Sequence, residues 1–461
     1  MLDAERLLQP HGGAKTAIEI VPVEKSRWEA FRKTLSSRER AWADAQAFGA
    51  ETGKALICPT EGGGIARILY GDSADADPFM PGKLARALPP GRYRFAKGLT
   101  NPKLAALGWL LESYEFAIDP GASKLARTIL ECPSGIDRAG LIREANAVFM
   151  VRDLVNRPAN DLTPDALEAA VRKVAKAGRA ALRIIKGAAL KRGFPLIHTV
   201  GMASIGPPRL ADFTWGNPRH PRLTLIGKGV CFDTGGLDIK PASGMALMKK
   251  DMGGAATVLG LAQMIMAAKL PVRLRVLTPI VENSIAGNSF RPGDVYRSRK
   301  GLTVEIGNTD AEGRLILADA MALADEEKPD LMLTLATLTG AARVALGPDL
   351  PPFYTDDDPL AAAIGRHATA ENDPLWRMPL WRPYNRLFES PVADLNNSSE
   401  SGFAGSITAA LFLRRFVEKA ASYVHFDIFA WTPSPRPGRP KGGEAQAMRA
   451  LFGVIRERYA R

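Results

Sequence analysis

Two stretches of this sequence gather charged side chains at spacings that could do chemistry. The first reads Gly-Lys-Gly-Val-Cys-Phe-Asp-Thr-Gly-Gly-Leu-Asp-Ile-Lys-Pro from 227 to 241 and continues to Lys-Asp-Met-Gly-Gly at 250 to 254. The second reads Asn-Thr-Asp-Ala-Glu-Gly-Arg-Leu from 308 to 315, after Thr-Val-Glu-Ile, and runs into a helical pattern. Each follows an apolar strand, and open α/β sheets place their ligands outside the carboxyl ends of the strands. Together they offer Asp233, Asp238, Asp251, Asp310 and Glu312 as carboxylates and Lys228, Lys240 and Arg314 as cations. A single such loop would be read as solvated residues and helix caps, since Asp310 and Glu312 lie where a helix N-terminus favours negative charge by about 0.3 to 1 kcal/mol. Two loops of alternating carboxylates and glycines point instead to a divalent-metal site, because clustered carboxylates repel one another unless a cation holds them.

The rest of the composition narrows the choice. His11, His198, His220, His367 and His425 never fall four apart, so the paired-histidine helix of zinc proteases is absent and metal chemistry must rest on carboxylates. Cys58, Cys132 and Cys231 show no short paired spacing, which excludes a disulfide framework and a cysteine-rich zinc module and predicts a reducing, cytoplasmic setting. With 46% apolar and 24% charged residues, the chain has the balance of a globular protein. Apolar windows such as Leu259 to Ala268 are about half the roughly 20 residues that a membrane-spanning helix needs, so no membrane partner is expected. The opening Met-Leu-Asp-Ala-Glu-Arg carries acids where a secretory leader carries bases. A net charge of +12 raises a nucleic-acid role as a rival, but the basic residues are spread along the chain rather than gathered in a stripe.

At 461 residues the chain is long enough for two or three domains. Residues 1–136 alternate short apolar runs, Ala55 to Cys58 and Ala66 to Tyr70, with Gly/Pro punctuation, and predict a smaller N-terminal α/β domain. Leu141, Ala145, Val148, Arg152 and Val155 then mark one face of a linking helix over 137–158, stopped by Pro158. Residues 159–461 are read as the catalytic domain. Thr163 and Pro164 predict the N-cap and first residue of a helix over Asp165 to Ala177, with a strand over Ala181 to Ile185 behind it. Strands over Leu223 to Ile226, Val272 to Ile280, Thr303 to Ile306, Leu331 to Ala336 and Tyr423 to Phe429 alternate with helices over Gly254 to Ala268, Leu315 to Glu326 and Ile407 to Lys419. That alternation predicts a larger C-terminal α/β domain with a central mixed sheet flanked by helices. The Pro/Arg/Gly-rich stretch from Pro433 to Gly443 is expected to be a loop.

The strings Gly-Lys-Gly, Phe-Asp-Thr-Gly-Gly, Ile-Lys-Pro, Lys-x-Asp-Met-Gly-Gly and, above all, Asn-Thr-Asp-Ala-Glu-Gly-Arg-Leu resemble the leucyl aminopeptidase (cytosol aminopeptidase) family. The resemblance extends over 150–430, through Leu-Val-Asn-Arg-Pro at 154, Arg-Pro-Gly-Asp-Val at 291, Leu-Ala-Thr-Leu-Thr-Gly at 335 and Ser-Pro-Val-Ala-Asp at 390. It implies a two-metal exopeptidase acting on peptides with a free N-terminus, with two divalent ions, Zn or Mn, in each subunit of a homohexamer. By that resemblance Asp233 and Glu312 would touch both metals, Lys228 and Asp251 would complete one site, and Asp310 the other. A metal-bridging hydroxide would attack the scissile carbonyl. Lys240 would stabilise the developing oxyanion, and Arg314 would hold a bicarbonate-like anion that relays a proton. Met248, Asn308, Thr337, Leu338 and Gly340 would bind the substrate, framing a pocket for an apolar, leucine-like side chain. Cys231 and Phe403 depart from the family's usual residues and bear on side-chain preference. His425, within a strand, is read as structural. The rival from another class is a DNA-binding or architectural hexamer with peptidase activity secondary.

Overall fold

The computed structural model describes residues 2–13, 16–118, 127–399 and 401–460. It resolves into two compact units, Met1–Phe149 with Ser434–Lys441, and Met150–Pro433 with Gly442–Arg461. The predicted linking helix is Arg138–Asn156, which begins in the first unit and ends in the second. It stops just short of Pro158, whose ring disfavours helical backbone in the residue before it. The loop expected near the C-terminus is a loop, but most of it belongs to the first unit rather than to the C-terminal stretch of which it is part in sequence. There the Gly438 amide donates to Glu112 Oε2 at 2.9 Å, and the Arg439 guanidinium lies 4.8 Å from the centre of the Phe79 ring.

In the first unit, six strands lie in the order Leu8–Gln9, Thr128–Glu131, Gly91–Phe95, Ile18–Glu24, Ile65–Asp72, Ala55–Pro59. The apolar runs noted at Ala55 and Ala66 form the antiparallel pair at one edge, and the other pairings are parallel. Helix Pro102–Glu112 starts on an Asn101 cap to the Leu104 amide and buries every residue from Leu104 to Leu111.

The second unit carries the site. Its mixed sheet runs Trp376–Arg377, Pro352–Tyr354, Tyr423–Asp427, Leu331–Ala336, Arg222–Gly227, Arg273–Asn283, Arg209–Trp215, Ala181–Lys186, and Gly229–Asp233 pairs beside the far end of Arg273–Asn283. The four central strands are parallel, whereas Arg209–Trp215 is antiparallel to both its neighbours and Pro352–Tyr354 is antiparallel to Tyr423–Asp427 but parallel to Trp376–Arg377. Leu331–Ala336 is buried at every position, as a strand covered on both faces must be. Helices Gly253–Ala267 and Glu312–Asp325 flank the sheet and are themselves almost wholly buried. Thr163 caps the Ala166 amide at the start of Pro164–Gly178, and Arg179 ends that helix in the left-handed region at φ 56°.

Several boundaries differ from the sequence reading, among them the strand from Tyr423, which ends at Asp427 rather than Phe429. Glu312–Asp325 begins a turn earlier than Leu315, which makes Glu312 its first residue. Gly405–Arg414 stops five residues before Lys419. Arg273–Asn283 continues past Ile280, carrying Asn283 toward the site. The strands Arg209–Trp215, Val295–Arg297 and Leu395–Asn396 were not anticipated, and the expected strand at Thr303–Glu305 pairs with the last two in a small sheet of its own rather than in the central one. Arg209–Trp215 and Leu395–Asn396 depend on pairings distant in sequence. No helix among the described residues is long and apolar enough to cross a membrane.

Candidate metal centre

The two charged loops meet at the carboxyl ends of the central strands. Lys228 follows Arg222–Gly227, Asp233 ends Gly229–Asp233, and Asp251 sits just before helix Gly253–Ala267. Asp310 lies in the turn before Glu312, the first residue of the helix Glu312–Asp325. Lys228, Asp233, Asp251 and Glu312 are 1–3% exposed. Oxygens of Asp233, Asp310 and Glu312 lie within 4.8 Å of one another. The structure thus brings together all five residues proposed from sequence as metal-binding, together with Lys240.

Electrostatics decide what this cluster requires. Lys228 Nζ stands 2.7 Å from both Asp251 Oδ2 and Glu312 Oε1 and donates to the Thr337 carbonyl at 2.9 Å. Lys240 Nζ stands 3.0 Å from Asp233 Oδ2 and contacts Asp310 Oδ1. Four carboxylates therefore face two ammonium groups, a surplus of negative charge that is costly where three of the four carboxylates are buried. Burial, reinforced by Asp233 and opposed by Lys228, pushes the Glu312 carboxyl up to about 8. Burial and Asp233, against Lys240, push Asp310 up to about 6. Burial works against the charge of Lys228, but Asp251, Glu312 and Asp233 outweigh it and raise its pKa; Lys240 is raised likewise, chiefly by Asp233. Asp251 Oδ2 and Glu312 Oε1, though close to Lys228, have no hydrogen bond of good geometry among the described residues. Orphaned carboxylate oxygens around a surplus of negative charge fit divalent cations. Lys228 stands here as an ammonium, so its expected role as a ligand requires it to lose that proton when metal arrives.

Close approach makes this geometry depend on glycine. A Cβ on Gly313 would sit 2.7 Å from Lys228 Cε and Nζ, and one on Gly254 would sit 2.1 Å from the Leu335 carbonyl oxygen. Asparagines the sequence did not single out hold the loops. Asn283 Nδ2 donates to Asp233 Oδ1 at 2.8 Å. Asn397 Oδ1 accepts from the Gly307 and Asn308 amides, and its Nδ2 donates to the carbonyls of Asn308 and Ala311. Asp238 is exposed and accepts from the Thr309 amide at 2.7 Å, which ties the two loops together.

Arg314 Nη1 donates to the Asn397 carbonyl at 2.7 Å, while its buried Nε finds no partner among the described residues. Burial pulls it down to about 10, so it stays a cation at neutral pH. Asn308 Oδ1 accepts from the Asp310 amide at 2.7 Å, and Thr337 Oγ1 donates to Asp251 Oδ1 at 2.8 Å, so both brace acidic residues of the cluster. Leu338 follows on the same loop, Gly340 opens helix Gly340–Leu346, and Met248 opens the short turn Met248–Lys250 before Asp251. The last residue of that turn, Lys250, is buried, and burial pulls it down to about 8 against the pull of Asp251. His425 is structural: its Nδ1 pairs with Thr334 Oγ1 at 2.9 Å, and burial lowers it to about 3, which keeps the ring neutral. Cys58, Cys132 and Cys231 are buried free thiols.

A buried acidic centre at the strand ends of a mixed sheet, in a chain with a second, smaller α/β unit, is the arrangement of a two-domain peptidase. The catalytic domain of the cytosol aminopeptidase family matches residues 149–452 and the M17 aminopeptidase N-terminal domain matches 18–130, so the chain belongs to the cytosol aminopeptidase family of peptidases. It is 40% identical over 333 residues to a probable cytosol aminopeptidase of Roseiflexus castenholzii, an alignment that spans 71% of this chain and 67% of that one. A probable cytosol aminopeptidase of Rhizobium johnstonii is 40% identical over 374 residues, 77% and 74% of the two chains. Among solved structures, the cytosol aminopeptidase from Coxiella burnetii superposes with a TM-score of 0.94 at 44% identity, over 98% of this chain and 99% of that one. The bottromycin maturation enzyme BotP, in complex with Mn, superposes at 0.85 with 31% identity, over 95% and 99%.

Proposed function

We propose that this peptidase is a metal-dependent aminopeptidase that releases apolar, leucine-like residues from peptides with a free N-terminus. The observation that carries the proposal is the surplus of four carboxylates, three of them buried, over two ammonium groups. Asp233, Asp251, Asp310, Glu312 and the neutral form of Lys228 would hold two divalent ions, Zn or Mn. Such ions supply Lewis-acid activation of water and of the scissile carbonyl. The protein's own groups do the rest. Lys240, partly open to solvent, keeps its charge and donates a proton-bearing face to the developing oxyanion. The unpaired Nε of buried Arg314 suits a small bicarbonate-like anion that accepts and returns a proton. Met248, Asn308, Thr337, Leu338 and Gly340 frame the residue to be released. Catalysis lies in the larger unit, and the family resemblance extends the reading to a homohexamer in the cytoplasm. The nucleic-acid rival rests on net charge alone.

Hydrolysis of a leucyl peptide, compared with its N-acetylated form before and after chelation, tests the reading. The free peptide should be cleaved, chelation should abolish cleavage, and Mn or Zn should restore it. Equal cleavage of the acetylated and free forms would refute it.

A further inference from the structure

Lys250 is 2% exposed, yet among the described residues its ammonium forms neither a hydrogen bond nor an ion pair. Its Nζ lies 4.9 Å from the centre of the Phe429 ring, and the Arg343 guanidinium carbon lies 4.6 Å from the same centre. Asp427 already accepts from the amides of Leu338 and Thr339 and from the Thr339 hydroxyl. Asp251, on the other side, belongs to the metal centre. Two cations thus lie against one aromatic ring, and of the two only Arg343 has a hydrogen bond, from Nη1 to the Thr339 carbonyl at 3.1 Å. A buried ammonium held only by a ring face lacks the hydrogen-bonding partner that such a group requires.

The place of this cluster says what could supply that partner. Met248 and Lys250 are the first and last residues of one short turn that leads directly into Asp251. A Cβ on Gly253 would lie 2.3 Å from Ala430 Cβ and 3.3 Å from Thr337 Cγ2, so the Phe429–Ala430 segment borders the wall that carries Thr337. Asp427 fixes the backbone of Leu338 and Thr339 on the same wall. The Phe429 platform therefore adjoins the pocket assigned to the side chain of the released residue. An acidic side chain entering that pocket would otherwise meet four carboxylates, and only cations beyond Asp251 could make it welcome.

We propose that Lys250 and Arg343, seated on the Phe429 ring, form a carboxylate-recognising subsite for the side chain of the released residue, so that peptides beginning with glutamate or aspartate are substrates beside those beginning with leucine. This rests on the aminopeptidase reading and adds to it a substrate class that its apolar pocket does not predict.

The experiment compares kcat/KM for glutamyl and leucyl amide substrates with Mn present, in wild type, Lys250→Met, Lys250→Arg and Arg343→Gln. The glutamyl-to-leucyl ratio should fall at least about tenfold in Lys250→Met, the change expected for one lost charge-assisted contact, and recover in Lys250→Arg. Arg343→Gln should move the ratio in the same direction and decides the matter if Lys250→Met fails to fold. As a readout independent of turnover, L-glutamate should raise the melting temperature of the wild type relative to L-leucine, and this difference should shrink in Lys250→Met. An unmoved ratio in both charge-removing variants overturns the subsite while leaving the aminopeptidase reading intact. Failure of the wild type to cleave either substrate overturns that reading instead, and the thermal shift then decides the subsite alone.

Discussion

Lys228 and Lys240 stand twelve residues apart in one loop and carry the same charge, but the structure gives them different duties. Replacing Lys228 with methionine keeps most of its volume and removes the ammonium that lies between Asp251 and Glu312. Those carboxylates are 3% and 1% exposed, so in the metal-free protein they are left as buried acids without a counter-ion. Breaking a buried pair in this way costs about 3 to 5 kcal/mol. At roughly 2 to 4 °C per kcal/mol for a unit of this size, the melting temperature of the metal-free protein should drop by roughly 6 to 20 °C. Lys240→Met should lose less, because its side chain is 14% exposed and only one of its two partners, Asp233, is buried, the other, Asp310, being 32% exposed. Solvent screening limits the Asp310 contact to about 1 kcal/mol, so the melting temperature should fall by less than in Lys228→Met, where both partners are buried. Calorimetry of both variants with and without Mn, paired with metal analysis, reads the difference. Lys228→Met should bind less metal and recover much of its melting temperature in excess Mn. Lys240→Met should keep its metal and lose about 10² to 10³ in kcat, as expected for a removed oxyanion donor. Equal melting losses with equal metal content in the two variants would refute the division of roles.

Gly313→Ala gains about 0.8 to 1 kcal/mol of helix propensity but crowds Lys228 at an overpacking cost of about 1 to 3 kcal/mol, so thermal unfolding should shift little while Mn titration shows weaker binding; unchanged Mn affinity would show that Lys228 gives way freely. Asn397→Ala removes four hydrogen bonds that hold the 307–311 turn and should cost about 10- to 100-fold in metal affinity or kcat, measured by the same titration. Glu168 is lowered to about 2 because Lys186, Arg172 and Arg209 outweigh the cost of its burial. Its depressed pKa contributes on the order of 3 kcal/mol of stability above about pH 4.5, lost as pH falls toward 2, so the stability gap between wild type and Glu168→Gln should close over that range in acid-denaturation curves. Binding to duplex DNA, if it rests only on diffuse charge, should vanish by about 200 mM salt in a mobility-shift titration.

The parts of the site that were legible in the sequence are those carried by a strand, a loop and a helix in immediate succession. Lys228, Asp233, Asp251, Asp310 and Glu312 all lie on such transitions, where a change of apolar period marks the strand end and glycines mark the tight turns. What the sequence concealed lies on tertiary contacts. Asn397 reaches the 307–311 turn across some ninety residues through a two-residue strand, Leu395–Asn396, too short to leave a periodic signature. Asn283 was hidden because the strand was read as ending at Ile280. Asp238 looked like a member of the acidic cluster, and only the hydrogen bond to Thr309 shows it bracing the loop instead. Lys250 gave no signal because a lysine beside a lysine reads as a solvated pair, whereas the fold exposes Lys249 partly and buries its neighbour. The same limit governs the fold: the parallel core follows from apolar runs between helices, but the antiparallel flanks follow from pairings no local pattern encodes.

The segment Ser434–Lys441 gives the first compact unit a late arrival. Synthesis must pass through the whole of Met150–Pro433 before any part of that segment exists, and the first unit remains without it throughout that time. The Glu112 carboxylate that receives Gly438 must wait in the nascent chain for a partner made 326 residues later, and the Phe79 face waits likewise for Arg439. Vectorial completion of one unit before the other is therefore closed to this protein, and the two must finish almost together. The same crossing limits dissection: a fragment that begins at Met150 carries eight residues whose packing partners have been cut away, so an autonomous larger unit would need Pro433 joined to Gly442 by a new, shorter turn.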